Sequence, residues 1–372
     1  MLNRRSFLFG IGTLALSQYI AGCSNSKEKI KILLLKGSIP RQLLKEFRKK
    51  LVSSQTPILK PKSQLKDLFA LLETWQAPDQ NQKLRLPFKK PSMADLITLG
   101  DYWLEAAIEK QLIEPLALEA LSGWGKLPPM AKHLVTRDGK IWGAPYRWGT
   151  TLIAYRRDKL EELGIEPKDW EDLWNSKLRG RISLLNQPRE VIGLTLKKLG
   201  HSYNTPDLEQ IAQLKKELVT LQQQVKFYRS DNYLQPLILG DTWLAVGWST
   251  DILPIQQLYP NIEAVVPRSG TSLWADLWVR PKQLTPDKNK EEKIKEWIDF
   301  CWQPDSANLI SFYTKAASPM ILTMKKEDIV KDVLRNPLLL RDKEILSGSE
   351  FLSPLGTDVQ NQYRNLWGEM NS

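Results

Sequence analysis

The segment KIKILLL at residues 29–35 is a short run of aliphatic side chains, and it predicts a buried β-strand. GSIP at 37–40 follows it as a turn, because glycine and proline interrupt regular structure. Beyond the turn, Leu43, Leu44 and Phe47 lie on one face of a predicted helix. The segment therefore opens a strand–turn–helix unit.

The same alternation continues along the chain. Residues 63–72 carry leucines at helical spacing, ADLITLG at 94–100 predicts another short buried strand, and residues 103–111 predict a helix after it. Strands and helices that alternate in this way are typical of an α/β fold with a mostly parallel sheet. Further along, residues 205–225 predict a long helix with Thr205 as its N-cap.

The length of 372 residues favours two lobes over one. TLIAY at 151–155 predicts a strand that crosses between the lobes, and residues 273–279 predict a strand that returns. The predicted division is lobe 1 at 30–149 plus 275–372, and lobe 2 at 150–274. There are no internal repeats that would suggest a solenoid.

The N-terminus reads as an export signal. In residues 1–22, Arg4 and Arg5 precede a short apolar stretch that ends in small residues and then Cys23. The apolar stretch is too short for a bilayer span, and the alternative of an accidental arginine pair before a core helix has nothing upstream to pack against. Arg4 and Arg5 resemble a twin-arginine signature, although an ordinary secretory signal can also carry two arginines. The sequence before Cys23 resembles a lipobox, so residues 23–29 are predicted to be a lipidated tether.

Cysteine content and charge agree with export. Once the signal is removed, Cys23 and Cys301 are the two cysteines left, so no disulfide framework is available and core burial must stabilise the fold. The net charge of +11 becomes +9 when Arg4 and Arg5 are lost. Export argues against nucleic acid as a partner, and anionic lipid headgroups are a more natural one. No segment after the signal is apolar enough to cross a membrane, and a lipid-anchored monomer in the periplasm is expected.

An enzyme is not supported by the motifs. The two histidines, His133 and His201, lie in polar surroundings that suit surface residues. The sequence has no nucleophile elbow, no phosphate-binding glycine loop and no His/Cys spacing for a metal, and no cofactor is predicted. A catalytic pair of carboxylates stays open as an alternative, because such pairs assemble in space.

WADLW at 274–278 is the most informative candidate for a binding site. In a strand, alternation places Trp274, Asp276 and Trp278 on one face and the apolar residues on the other. A carboxylate in so apolar a run requires a partner. An organic cation paired with Asp276 and held over the indoles would supply it. The alternative is an internal salt bridge from Asp276 to an arginine, with the tryptophans as packing, and the strand alone does not choose between them.

Other candidates follow predicted strands, where open α/β sheets bind ligands. Asp101 and Tyr102 come after the strand at 94–100, and aromatic and acidic side chains recur in later loops. These are Trp148, Glu190 and Trp248. Core packing is the alternative for the aromatic residues, and a stabilising position at a helix N-terminus is the alternative for Glu190.

The order of these segments resembles the periplasmic spermidine/putrescine-binding proteins of ABC importers. The similarity runs thinly along nearly the whole chain after the signal. Its clearest pieces are PYRWGTT at 145–151, WEDLW at 170–174, RGRI at 179–182, PREV at 188–191, LG at 199–200, SDN at 230–232 and WAD at 274–276. The resemblance implies a two-lobed type II periplasmic binding protein fold, in which each lobe is a mostly parallel sheet flanked by helices and the ligand cleft lies between the lobes.

The resemblance also implies roles for individual residues. It places Asp276 on an amine of the ligand and Trp274 against its alkyl chain. It places Tyr102, Glu190 and Trp248 around the cleft.

Three features depart from the family pattern. The loop at 36–40 has a lysine and no aromatic residue where the family offers a Trp and a Tyr with an acid between them. Gln187 stands where an acid is common, and AASP at 316–319 lacks an expected tyrosine. About half of the polyamine signature is therefore missing, which leaves the ligand open.

The sequence thus predicts a lipid-anchored extracytoplasmic solute-binding protein that captures a polyamine or similar organic cation between two lobes. It would deliver the solute to an ABC permease in the cytoplasmic membrane. The alternatives are a binding protein for another small solute, an enzyme on the same fold, and a lipoprotein that has lost solute binding and acts in protein interaction.

Overall fold

The structure is a computed structural model, and it describes residues 29–50, 56–77, 92–283, 287–339 and 343–370. The predicted signal peptide with Arg4 and Arg5, Cys23, and all of the tether except Lys29 lie outside these residues. None of the helices within the described ranges is long and apolar enough to span a membrane.

Strands form the centre of the molecule. Those of the described ranges are β1 (Lys31–Leu35), β2 (Ile58–Lys62), β3 (Leu96–Gly100), β4 (Ile113–Glu114), β5 (Thr136–Arg137), β6 (Lys140–Ile141), β7 (Ala144–Arg156), β8 (Ile182–Leu184), β9 (Val225–Tyr228), β10 (Leu244–Trp248), β11 (Ile262–Val265), β12 (Ser272–Pro281) and β13 (Glu350–Phe351). Strands β5 and β6 form a separate hairpin, and the other eleven form one sheet.

Helices flank the sheet. In the same ranges they are α1 (Arg41–Lys50), α2 (Leu65–Gln76), α3 (Leu104–Glu109), α4 (Ser122–Lys126), α5 (Pro129–Val135), α6 (Arg157–Glu161), α7 (Pro188–Lys198), α8 (Leu214–Gln222), α9 (Gln235–Leu239), α10 (Ser249–Leu258), α11 (Lys288–Cys301), α12 (Pro304–Thr314), α13 (Lys331–Leu334), α14 (Lys343–Gly348) and α15 (Thr357–Met370). Short 3-10 turns connect several of them.

The sheet runs in the order β2-β1-β3-β12-β7-β10-β8-β9, with β4 and β13 beside β12 and β11 beside β7. Pairing is parallel at both ends, between β1 and its neighbours β2 and β3 and between β8 and its neighbours β10 and β9. In the middle, β12 and β7 pair antiparallel with each other and with their outer neighbours. The predicted α/β fold is therefore present, with parallel sheet in each half.

Strand β7 joins the two halves of the sheet. Its first part pairs with β12 up to Thr150, which lies opposite Leu273, and its second part pairs with β10 from Thr151, which lies opposite Trp248. The change of partner between Thr150 and Thr151 is next to the boundary predicted at residues 149 and 150. We call residues 149–151 of β7 and 272–276 of β12 the crossing region.

The opening strand–helix unit folds as predicted. Ile32, Leu33 and Leu34 of β1 are buried together, as expected for a parallel strand covered on both faces. Leu43 and Phe47 are four residues apart on α1, and both are buried in the same core cluster. Two such clusters exist in the described residues, one centred on the first half of the sheet and one on the second.

The predicted long helix at 205–225 is wrong in its first half and at its end. The described helix is α8 (Leu214–Gln222), and Val225 begins strand β9. Before α8, the Asp207 carboxylate accepts hydrogen bonds from the Glu209 N–H and from Gln362 of α15. Such an acid-centred turn competes with helical pairing of the backbone, which explains why Thr205 does not begin a helix.

The C-terminal helix α15 packs on the second half of the sheet rather than the first. Tyr363 and Met370 belong to the second core cluster, and α15 contacts α7 and α8. Gln222 of α8 donates a hydrogen bond to the Met370 carbonyl. The predicted division assigned all of 275–372 to lobe 1, whereas this last helix lies against elements of lobe 2.

Candidate functional site

An ion pair occupies the centre of the crossing region. Asp276 of β12 lies opposite Arg147 of β7 in the antiparallel register, and the Arg147 Nε donates to Asp276 Oδ2 at 2.6 Å. Arg147 is only 5% exposed and Asp276 only 1%. Burial raises the pKa of Asp276, and the charge of Arg147 opposes that shift. The carboxylate of Asp276 therefore forms the internal salt bridge to an arginine that was one of the two alternatives.

Trp274 lies beside the ion pair and close to the backbone of β7. Its Nε1 is 3.4 Å from the Thr150 carbonyl oxygen, and the Arg147 guanidinium carbon is 5.8 Å from the centroid of its ring. The ring approaches Gly149 so closely that a Cβ at residue 149 would be 2.3 Å from Trp274 Cζ2. A glycine is thus required opposite the indole. Trp278, in contrast, is buried and stacks on Tyr146 in the core.

Asp101 reaches the crossing region from the end of β3. Its Oδ1 accepts a hydrogen bond from the Ala275 N–H at 3.0 Å, which holds the carboxyl next to the β12 backbone. Burial, together with the nearby charge of Asp276, raises the pKa of Asp101 to about 7. Ionisation of this carboxyl therefore responds to any charge placed near it at neutral pH.

Glu190 connects the first turn of α7 with both crossing strands. Its carboxylate accepts hydrogen bonds from the Ser272 hydroxyl at 2.6 Å and from the Thr151 hydroxyl at 3.1 Å. The side chain is 7% exposed, and burial raises its pKa. Its contacts extend beyond the helix N-terminus that was the alternative explanation for this acid.

Trp248 ends β10 and shares a hydrogen-bonded group with Asp251. The Tyr233 hydroxyl accepts from the Trp248 N–H at 3.0 Å and donates to Asp251 Oδ2 at 2.9 Å. Trp248 is half-buried, and its ring meets Tyr233 edge-on. Asp251 is exposed, but partial desolvation raises the pKa of its carboxylate, and the hydrogen bond from Tyr233 and attraction from Arg147 oppose that shift.

Two predicted residues lie apart from this group. Tyr102 is 53% exposed, with its ring edge-on to Trp103. Trp148 is opposite Ala275 in the register, and therefore on the face of the sheet away from Asp276. Its ring is 3% exposed and lines a shallow apolar depression with Met130, Pro319, Phe351 and their neighbours. The structure thus gives Trp148 the core-packing role that was its alternative.

Arginines and acids are unequal in number around the crossing region. The acidic cluster consists of Asp101, Glu190, Asp251 and Asp276. Arg147 and Arg189 are the arginines next to it. Arg189 is 6% exposed, stacks on the ring of Tyr363, and donates from Nη2 to Asn204 Oδ1 at 2.9 Å. With every group ionised, the cluster has an excess of two negative charges, which favours a cationic ligand over an anionic one.

Arg147, Asp251 and Tyr233 are site residues that the candidate set did not contain. PYRWGTT at 145–151 was quoted for its resemblance to the family and Trp248 was named as a candidate, but neither indicates which side chains meet. No group of three or more metal-ligating side chains occurs in the part of the chain that the structure describes. Lys36 and Gln187, which belong to the departures from the family pattern, are both exposed.

Comparison with known proteins identifies the family. The model of the family "Bacterial extracellular solute-binding protein" matches residues 92–340. The spermidine/putrescine-binding periplasmic protein of Escherichia coli K12 is 26% identical over 272 residues, which cover 73% of this chain and 76% of that protein. A putrescine/cadaverine-binding protein of Pseudomonas aeruginosa is 32% identical over 242 residues, covering 62% and 67% of the two chains.

A solved structure has the same fold. The substrate-binding protein of a spermidine/putrescine ABC transporter from Streptococcus pneumoniae superposes with a TM-score of 0.78 at 20% identity, over 92% of this chain and 98% of that one. The two-lobed fold that was predicted is therefore shown. The chain belongs to the bacterial extracellular solute-binding proteins, a family of transport proteins that act outside the cytoplasm, and within it to the group of the spermidine/putrescine-binding periplasmic proteins.

Proposed function

We propose that this protein captures an organic cation, with polyamines as the first candidates, between two lobes and delivers it to an ABC permease. The observation that carries the proposal is the excess of carboxylates over arginines in the acidic cluster, next to the indoles of Trp274 and Trp248. Carboxylates attract protonated amines, and indole faces contact both cations and alkyl chains favourably. The names of the relatives, which bind spermidine, putrescine or cadaverine, support the same ligand class.

Closure of the cleft is part of this proposal. The two predicted lobes are joined by β7 and β12, and hinge motions in proteins are absorbed by a few such residues. Glu190 of lobe 2 lies next to both crossings, because it bonds to the hydroxyls of Thr151 and Ser272, which are close to the predicted boundaries. A solute that reached from Glu190 to Asp101, at the end of β3 in lobe 1, would contact both lobes at once.

Anchoring is the second part of the proposal. Cys23 at the end of the signal would carry a lipid, and the short tether at 23–29 would hold the lobes close to a permease in the same membrane. Replacement Cys23→Ser is expected to abolish incorporation of labelled fatty acid and to release the protein from the membrane fraction. Continued labelling of the variant would refute the lipid site.

Ligand binding is tested on the protein without residues 1–23 by thermal unfolding and calorimetry. Putrescine, cadaverine and spermidine are compared with a neutral sugar and a neutral amino acid. A ligand at a hundred times its Kd stabilises the folded state by about 2.7 kcal/mol, so at least one amine should raise the Tm by several degrees. Glu190→Gln should weaken amine binding, whereas Glu209→Gln, an exposed control in the same lobe, should not. A shift with the sugar alone would refute the organic-cation proposal.

A further inference from the structure

Arg147 holds the position that the sequence predicts for the cation of a ligand. Its guanidinium donates to the Asp276 carboxylate at 2.6 Å, and its charge lies 5.8 Å from the centre of the Trp274 ring. An acid and an indole on one strand therefore already contact a cation, and that cation belongs to the protein.

A ligand ammonium cannot readily displace this arginine. Arg147 and Asp276 are directly opposite each other in the sheet, and both are almost fully buried. Removing one partner of a buried ion pair leaves the other charge uncompensated, which is strongly unfavourable. An ammonium that took Asp276 would also lie against the positive charge of Arg147. The Asp276 end of the site is therefore closed to a ligand cation.

The remaining acids accept hydrogen bonds from neutral donors. Asp101 bonds to a backbone N–H, Asp251 to the Tyr233 hydroxyl, and Glu190 to two hydroxyls. These donors supply no positive charge. The two arginines balance two of the four acids, so two positive charges on a ligand would balance the rest.

We infer that Arg147 sets the charge of the ligand, so that the site prefers a short diamine to a triamine. This inference rests on the proposed function and assigns Arg147 as a residue that determines specificity. In the native protein a third ammonium exceeds the net charge left on the acidic cluster, because Arg147 has taken Asp276 and the charge of Arg189 offsets one more of the acids. Removing the charge of Arg147 makes Asp276 available, and the third ammonium then gains a partner.

The test is calorimetric titration of the full chain in detergent with a series of amines of rising charge: butylamine, putrescine and spermidine. In the native protein, putrescine should bind at least about tenfold more tightly than spermidine, as expected when one charge of a ligand meets a like charge. In Arg147→Gln, which keeps a hydrogen-bond donor but loses the charge, the ratio should move by about tenfold or more towards spermidine.

Two further variants serve as controls. Arg181→Gln removes an arginine that stacks on Trp243 in the second half of the sheet, away from the site, and should leave the ratio unchanged. In the double variant with Arg147→Gln and Asp276→Asn, the gain for spermidine should disappear, because the freed acid is gone. Should Arg147→Gln fail to fold, the native ratio still decides, since spermidine binding as tightly as putrescine overturns the inference.

The outcomes separate the two proposals. Binding of amines with the same preference in the native protein and in Arg147→Gln overturns the assignment of Arg147 and leaves the proposed function standing. Failure of every amine to bind either protein overturns the proposed function, and the inference with it.

Discussion

Replacement of Gly149 by alanine should both destabilise the fold and disturb the site. The added Cβ would be 2.3 Å from Trp274 Cζ2 and 2.5 Å from the Ser249 Oγ, far inside normal contact distance. Neither neighbour is a free side-chain end. The indole Nε1 is near the Thr150 carbonyl, and the Ser249 hydroxyl accepts from the Thr150 N–H at 3.3 Å. Relief therefore requires movement of the ring or of the strand.

The cost can be placed within limits. Adding one methyl group to a well-packed region costs about 1–3 kcal/mol, and each kcal/mol lowers the Tm of a domain of this size class by about 2–4 °C. A decrease in Tm of about 2–12 °C follows from these two values. Because Trp274 also contacts the guanidinium of Arg147, displacement of the ring should weaken amine binding as well.

The assay is thermal unfolding followed by circular dichroism, with tryptophan fluorescence and amine titration on the same samples. Gly125→Ala in α4 is the matched control, since a Cβ there has no heavy atom within 4 Å. Alanine in a helix is favoured over glycine by about 0.5–1 kcal/mol, so this control should be neutral or slightly stabilised. The reasoning is refuted if Gly149→Ala is as stable as Gly125→Ala and binds the amine unchanged.

Three further predictions concern charge and packing. The pKa of Asp101 is raised to about 7 in the folded state, above its unfolded value, so its contribution to stability is present at low pH and is lost as pH rises through about 7. Cation binding favours the ionised form of Asp101, so amine affinity should rise between pH 6 and 8, with release of a proton on binding. Calorimetry in several buffers should show a flatter pH profile for Asp101→Asn. An equally steep profile in the variant would contradict the assignment. Asp276→Asn leaves Arg147 buried without an acid and should lower the free energy of unfolding in urea by about 3–5 kcal/mol. Much of this loss should be recovered when Arg147→Met is added. A single variant as stable as the native protein would show that the pair does not form. Tyr363→Ala removes a buried ring from the second core cluster and should lower the free energy of unfolding by about 3–5 kcal/mol. It should also make α15 sensitive to limited proteolysis. Resistance equal to that of the native protein would argue against packing of α15 on the second half of the sheet.

Local sequence patterns predicted much of the fold. The strand at 31–35 and the helix with Leu43 and Phe47 follow from aliphatic runs and from spacing by four residues, which are properties of neighbouring positions. The helix predicted at 205–225 failed where a distant side chain intervened. Gln362, more than 150 residues away, bonds to Asp207 and to the Leu208 N–H, and no local pattern contains that contact.

The candidate site shows the same limit. The position of Asp276 in an apolar strand predicted that this acid needs a cation, either from a ligand or from an arginine. Deciding between them requires the register of two strands whose paired residues are 129 positions apart. The same register places Trp148 opposite Ala275, on the face of the sheet away from Asp276. The need of Asp276 for a positively charged partner was therefore predictable from the sequence, but the identity of that partner was not.

The position of α15 has a consequence for folding of the protein during its synthesis. Met370 and Tyr363 complete a core whose other members begin with Ile153, so the second lobe lacks part of its interior until nearly the whole chain has been synthesised. Residues near the N-terminus leave the ribosome long before that point. Should the proposed signal peptide direct export, a machinery that engages it during synthesis would meet an incomplete lobe, and one that transports finished proteins would have to wait for the last helix.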